Sequence, residues 1–586
     1  MLVILKSINE FRPKLLNGLA PITESLKMLR FCFLVLTIAL AACEDSSPTQ
    51  SGSVDTPQLF VESAAATGLN FDHFIGSTGQ YYLPEIMGSG VALLDFDLDG
   101  DLDVYFVQGA MLDKSKSPEE STFPPKSGVA NRLFENRLVP DGRLSFVDAT
   151  ATSRLGDERY GMGVAVGDYD ADGDPDLYVT NVGPNVLYRN NGDGTFSAVE
   201  GPQDTRWSTS AAFVDHDGDG DLDLFFTNYV GFTPAAQMEC LTGGLRDYCA
   251  PRAYQPVPDR LFRNDGGKFT DVSNEAGLGT KFGNGLGVTT ADFNNDGHTD
   301  IYVANDGTEN QLWINRGGGK FEELGMISGT AVNVDGSLEA GMGVSAEDFD
   351  GDGDIDIFLT HLTRETNTLY LNDGSGSFRD ATNSFGLAAS SVPFTGFGLQ
   401  WQDFDLDGRL DLFITNGAVT GVEAQRGDPY PYFQDDLFYR GTEAGFESVA
   451  GRQVWGEQDP QIGRGMAAGD IDNDGDIDVV ISNNNGPAQL FINQTESPIF
   501  IKVKPAGNSL GARVGISFAD GTKMWRRVHS DGSYLSSSEP AVVFGLKGMP
   551  QVTSLEVIWP NGDEEQFAAP AANTVFSPVK GTGTRR

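Results

Sequence analysis

The sequence predicts an all-β protein, a seven-bladed β-propeller with acidic loops, followed by a small C-terminal β domain. Three observations predict it. A nine-residue acidic motif recurs seven times, short apolar strand-like runs flank the copies, and glycine is in excess, with 72 of 586 residues against a usual share of about 7%. Self-similarity of this kind marks a repeat architecture. Hydrophobic residues at 39% and aromatics at 10% are enough for a core, which a disordered acidic chain lacks. The formal net charge of −43 disfavours nucleic acid as a partner, because phosphate binding needs basic patches.

At the N-terminal end, Phe31–Ala42 is a short apolar run preceded by Lys27 and Arg30. A membrane-spanning helix needs about 20 residues, so this run reads as the core of a secretory signal. Met28 lies at the usual distance before such a core. Residues 28–42 are then the signal, and residues 1–27 either an upstream extension from a misassigned start or a long n-region. Leu40-Ala41-Ala42-Cys43, followed by a polar stretch, is similar to a bacterial lipobox, which makes Cys43 the lipidated residue and 43–56 an anchored linker. With Cys32 in the signal and Cys43 lipidated, Cys240 and Cys249 remain, close together in one long loop. In an exported protein such a pair forms a disulfide.

The repeated motif reads D-x-[DN]-x-D-G-x-x-D. Its first copy is Asp95, Asp97, Asp99, Asp101 and Asp103; the second Asp168, Asp170, Asp172, Asp174 and Asp176. The third is Asp215, Asp217, Asp219, Asp221 and Asp223; the fourth Asp292, Asn294, Asp296, His298 and Asp300. The fifth is Asp348, Asp350, Asp352, Asp354 and Asp356; the sixth Asp403, Asp405, Asp407, Arg409 and Asp411; the seventh Asp470, Asp472, Asp474, Asp476 and Asp478. So many like charges in short loops are costly unless a cation neutralises them. Oxygen ligands at alternate positions, with glycine at the sixth, are the recipe for Ca²⁺. Positions one, three, five and nine supply side-chain oxygens and position seven a backbone carbonyl, so position seven tolerates His298 and Arg409. The expectation is one Ca²⁺ per copy, seven in all. Asn294 lowers the charge of the fourth site and Arg409 that of the sixth. An EF-hand is excluded, because position twelve of the first copy is Phe106 rather than glutamate and both flanks are strand-like.

After each loop come two further apolar runs separated by a glycine-rich turn, as in Leu177–Asn181, Val186–Asn190 and Thr195–Val199. These read as hairpins. With the strand entering the loop they give four strands per unit, and seven such units make a propeller over residues 57–499. Pairs such as Gly161/Gly163 and Gly341/Gly343 fit innermost strands, where backbones crowd the channel. The outer-strand pattern Phe269–Leu278 recurs as Phe378–Leu387, is missing after the last copy, and reappears at Phe60–Leu69. The N-terminal segment is therefore expected to complete the seventh blade and remove an exposed edge. Residues 500–582 alternate as short strands, an expected β domain abutting the last blade, with 583–586 as a tail. Arg513, Arg526 and Arg527 are either solvated strand charge or a docking site for an acidic partner, including the propeller itself.

With these strand surroundings the loops resemble the FG-GAP/VCBS repeats of integrin-α-like propellers. The tail resembles the ASPIC/UnbV domain through Asn508–Val514, Gly532–Ser537, Phe544-Gly545-Leu546 and Val557–Gly562. Together they resemble the cartilage acidic protein family, including its bacterial lipoprotein members. The resemblance implies extracellular calcium-binding propellers with adhesion-like roles and no established enzymatic activity.

No catalytic set emerges. The five histidines, His73, His216, His298, His361 and His529, are not paired at metal-ligand spacing, and His216 and His298 are expected to face solvent. Neither a nucleophile elbow nor a zincin motif occurs. The functional expectation is an exported, lipid-anchored, calcium-binding module of the cell envelope or surface, binding a protein or glycan and attached to the membrane through its lipid. The alternatives are a propeller enzyme acting on polysaccharide, with its site at the channel mouth or in the insertion at 230–258, and a structural or assembly factor.

Overall fold

The computed structural model describes residues 58–421, 431–496 and 498–586. The expected signal segment (28–42), the expected linker (43–56) and Cys43 lie outside the described residues. Among the described residues no helix is long and apolar enough to cross a membrane.

Among the described residues, seven antiparallel four-stranded sheets lie between Phe60 and Asn493, together with the two-stranded hairpin Cys240–Thr242 and Leu245–Asp247. The first is Val91–Leu94, Asp103–Phe106, Arg132–Asn136 and Phe146–Asp148, and each later sheet repeats this order from the strand before its acidic loop outward. The first strand of each sheet packs against the first strand of the next, and Gly463–Gly469 packs back against Val91–Leu94, so the sheets form a closed, propeller-like ring. Paired glycines permit that approach. A Cβ on Gly163 would lie 2.5 Å from the Thr209 carbonyl oxygen, and one on Gly343 2.1 Å from that of Phe397. The third sheet has Ser208-Thr209-Ser210 in this place, and there the Thr209 hydroxyl donates to the Gly285 carbonyl at 2.7 Å.

Phe60–Glu62 pairs with Phe491–Asn493 as the outer strand of the seventh sheet, as the repeated pattern predicts. The rest of that pattern is also structural. After the strand, Ala64–Thr67 makes one helical turn, Gly68 closes it with φ of 88°, and Leu69 enters the core. Phe269–Asp271, Ser273–Ala276, Gly277 and Leu278 do the same in the third sheet. Only glycine takes this left-handed cap without strain.

The C-terminal domain has a three-stranded and a five-stranded sheet around Ile501, Val514, Ile516, Phe544 and Val557. Its five-stranded sheet includes Thr584–Arg585, beyond the expected boundary at 582, paired with Glu565 and Gln566. The domain does not merely abut the last blade. Its segment 532–539 enters the ring and bonds to the innermost strands of several sheets. Leu93 and Val164 amides donate to the Ser537 and Leu535 carbonyls at 3.0 and 3.1 Å, and Val344 donates to Ser533 at 3.0 Å. Tyr534 is fully buried against Phe397 and donates to the Met87 carbonyl at 3.0 Å. This segment fills one end of the channel; Pro84–Met87 and the insertion after Tyr229, closed by the Cys240–Cys249 disulfide, pack at the other.

Candidate metal centres

Each acidic loop joins the first two strands of its sheet and is bent by its own backbone. The sixth-position glycine has φ between 86° and 99° in every copy. The fourth position is also left-handed throughout, from Ala171 and Leu406 at 56° to Gly218 at 79°. The only sequence signal for this second bend is Gly218, Gly351, Asn295 and Asn473, residue types that tolerate the conformation.

The acids divide into different roles. The fifth-position carboxylate accepts the amide of position seven at 2.9–3.1 Å in all seven copies. The ninth is the most constrained. One oxygen accepts the amide of position two at 2.8–3.1 Å. The other accepts an amide from the third strand at 2.7–2.9 Å. Position nine, expected to supply a side-chain oxygen, thus also pins loop to sheet.

Positions one and three differ. Asp95 and Asp403 at position one, and Asp170, Asp217, Asp405 and Asp472 at position three, each have a buried Oδ1 with no hydrogen-bond donor. A buried carboxylate oxygen without a partner is costly. In the first, second, third and fifth copies three acids bring an oxygen each within 4.8 Å of one another, for example Asp168, Asp170 and Asp176, or Asp348, Asp350 and Asp352. Burial, reinforced by neighbouring aspartates, pushes Asp176, Asp300 and Asp356 up to about 8. These orphaned oxygens fit a hard, oxygen-liganded cation.

Some loop side chains do not sit as the sequence suggests. His216 is buried rather than solvent-facing, with its ring nitrogen bonded to Asp223, because the adjacent sheet covers it. His298 is exposed, as expected. The Arg409 side chain pairs with Asp407 at 2.9 Å and so occupies an oxygen of its own loop. In copies one, three and seven the position-seven side chain is not idle: Asp101, Asp221 and Asp476 accept the amides of Val139, Gly266 and Thr495.

Sequence reading missed the asparagine that ends most third strands. Asn190, Asn264, Asn315, Asn372 and Asn493 each donate through Nδ2 to the second-position carbonyl of the preceding sheet's loop at 2.7–2.8 Å. Asn136 does so across the closure, to Ile471 at 3.0 Å. Gly441 occupies this place in the sixth sheet, which therefore lacks the bond.

The C-terminal domain covers the loop face. Asn508 and Arg526 donate to the carbonyls of Gly220 and Gly408 at 3.1 and 3.3 Å, and Arg513 bonds to that of Gly353. Arg527 is buried, pairs with Asp531 at 3.1 Å and donates to the Thr290 carbonyl. Arg513 and Arg526 thus dock on the protein's own loops, and Arg527 on its innermost strands. Lys502, 4% exposed, bridges Asp470 and Glu539 at 3.1 and 3.0 Å. Lys502→Met should cost about 3–5 kcal/mol in thermal or urea melts, because it leaves buried charge unpaired, and Lys502→Met with Glu539→Leu should recover part of it. A loss in the double variant equal to the sum of the losses in Lys502→Met and Glu539→Leu alone would show that the pair is uncoupled.

Comparisons agree with this architecture. The FG-GAP-like repeat matches residues 95–179, 168–226, 244–303, 292–359 and 348–414, over half the chain, and the ASPIC and UnbV domain matches 503–584. Cartilage acidic protein 1 of Xenopus tropicalis is 28% identical over 311 residues, covering 50% of this chain and 44% of that protein. The Homo sapiens protein is 28% identical over 352 residues, covering 55% and 49%. The chain thus spans about half the length of the curated relatives it matches. A solved lectin structure from Agrocybe aegerita covers 62% of this chain and 81% of its own at 15% identity, with a TM-score of 0.36, too loose a likeness to argue from. With the repeats through its ring and an ASPIC/UnbV domain seated on the loop face, the chain belongs to the cartilage acidic protein family of FG-GAP repeat proteins.

Proposed function

We propose that this chain is a calcium-stabilised, seven-bladed propeller of the cell envelope, anchored by lipid at Cys43 and working as a binding or interaction module. The observation that carries the reading is the repeated loop with its donor-less, buried carboxylate oxygens at positions one and three. Calcium there would neutralise and stiffen the loops that the C-terminal domain grips. The chemistry each site would supply is structural, because the fifth- and ninth-position acids hold backbone amides of their own loop and sheet. Because the C-terminal domain occupies the loop face, the opposite face is the one offered to partners. There the insertion hairpin holds out Leu241 and Leu245, 64% and 50% exposed, as a protein-binding surface would.

Fractionation of cells making the protein tests the anchor: Cys43→Ala should move it from the membrane to the soluble fraction, and retention in the membrane overturns the lipid reading. Purified protein screened on envelope proteins and glycans should give saturable binding without product; turnover would favour an enzyme instead.

A further inference from the structure

At the insertion end of the channel lies a cavity of about 350 Å³, a size typical of small-molecule sites. Its wall is mainly apolar: Leu83, Ile86 and Met87 from the one-turn helix Pro84–Met87 and the residue before it, Met342 and Leu362 from the loops flanking the fifth sheet, and the Cys240–Cys249 disulfide. One carboxylate interrupts this wall. Asp306 is 7% exposed, and its side chain has a single partner, the hydroxyl of Tyr229, which also lines the cavity. Arg252, the one basic residue on the wall, lies exposed at the rim and makes no ion pair with Asp306.

Some other buried acids have a cation, whereas Asp247 and Asp259 accept only backbone amides and do not line the cavity. Asp531 has Arg527, Glu539 has Lys502 and Asp204 has Arg206. Asp306 has only a neutral hydroxyl. Glu85, beside Ile86, is similar: it is 1% exposed, its Oε1 has no donor, and its Oε2 accepts from Tyr248, another residue of the wall. Burying a carboxylate without a cation is unfavourable, and an ammonium group placed beside it offsets that cost. Burial holds the Asp306 carboxyl at about 6, so it is ionised at pH 7.5.

We propose that this cavity binds a small primary amine with an apolar body, its ammonium group against Asp306 and its body among Leu83, Ile86, Met87 and Met342. The apolar wall supplies affinity through area removed from water, and the carboxylate selects charge.

The test is calorimetric titration of the full, calcium-loaded chain at pH 7.5 with n-octylamine, n-octanol and n-octanoate, which share one apolar body. Octylamine should bind one per chain, at least tenfold more tightly than octanol, with octanoate weakest. Asp306→Asn should lower octylamine affinity at least tenfold and leave octanol binding unchanged. Should Asp306→Asn melt early, Leu362→Trp, which fills the cavity from a partly exposed position, should abolish octylamine binding. Octylamine binding no tighter than octanol, binding that survives Leu362→Trp, or no octylamine binding at millimolar concentration would each overturn the proposal.

Discussion

Removal of calcium is expected to lower the melting temperature by on the order of 10 °C, and calorimetric titration back should count several ions per chain, approaching one for each of the seven loops. A site held at a hundredfold excess over its Kd adds about 2.7 kcal/mol to the folded state, and several such sites act together. The magnitude is large because the cost without metal is large. Asp95, Asp170, Asp217, Asp403, Asp405 and Asp472 each keep a buried oxygen with no donor. The sites should not be equal. The sixth has an oxygen of Asp407 already taken by Arg409, and the fourth has Asn294 in place of an aspartate, so these two should be the weakest. Asp170→Ala should remove one ion from the count and leave the others. A melting curve that a chelator does not move would refute the metal assignment.

Deleting residues 57–70 is expected to have the second large effect. It removes Phe60, fully buried and in aromatic contact with Phe404, Phe413, Phe438 and Phe491. It also exposes Gln489–Asn493 as an unpaired edge. Phe60→Ala alone should cost about 3–5 kcal/mol, the range for emptying a large aromatic site. The deletion should cost more and increase aggregation, read by thermal denaturation and light scattering. An unchanged melting curve would mean that the ring does not depend on this strand.

The two features behind these predictions were legible for different reasons. The acidic loops stand out because the same residue types recur at the same offsets seven times. Ring closure was legible because strand, helical turn and glycine cap leave a joint signature, so Phe60–Leu69 and Phe269–Leu278 look alike though more than two hundred residues apart. The bridging asparagines were less visible: an Asn after an apolar run equally ends a strand or starts a turn, and only the neighbouring sheet gives Asn190 or Asn493 its partner. His216 was misread because a variable position says nothing about what packs over it. Docking of the C-terminal domain was only half legible: Arg513, Arg526 and Arg527 read equally as solvated strand charge or as a docking site, the propeller included, and nothing in the sequence chose between them. Many of their targets are backbone carbonyls, such as those of Gly353, Gly408 and Thr290, which have no sequence signature.

The seventh sheet also has a kinetic consequence. Its bond from the Leu490 amide to the Glu62 carboxylate spans 428 residues, and the Tyr534 hydroxyl reaches back to Met87 across 447. Contacts of such long range are slow to form, because loop-closure entropy is lost before they repay it. On a ribosome or emerging from a translocon, Phe60–Glu62 would wait as a bare strand until nearly all the sheets were present, and the segment that fills the channel would arrive later still. Folding of this chain should therefore be rate-limited by closure rather than by individual sheets, and the interval before closure is when it is most exposed to chaperones and proteases.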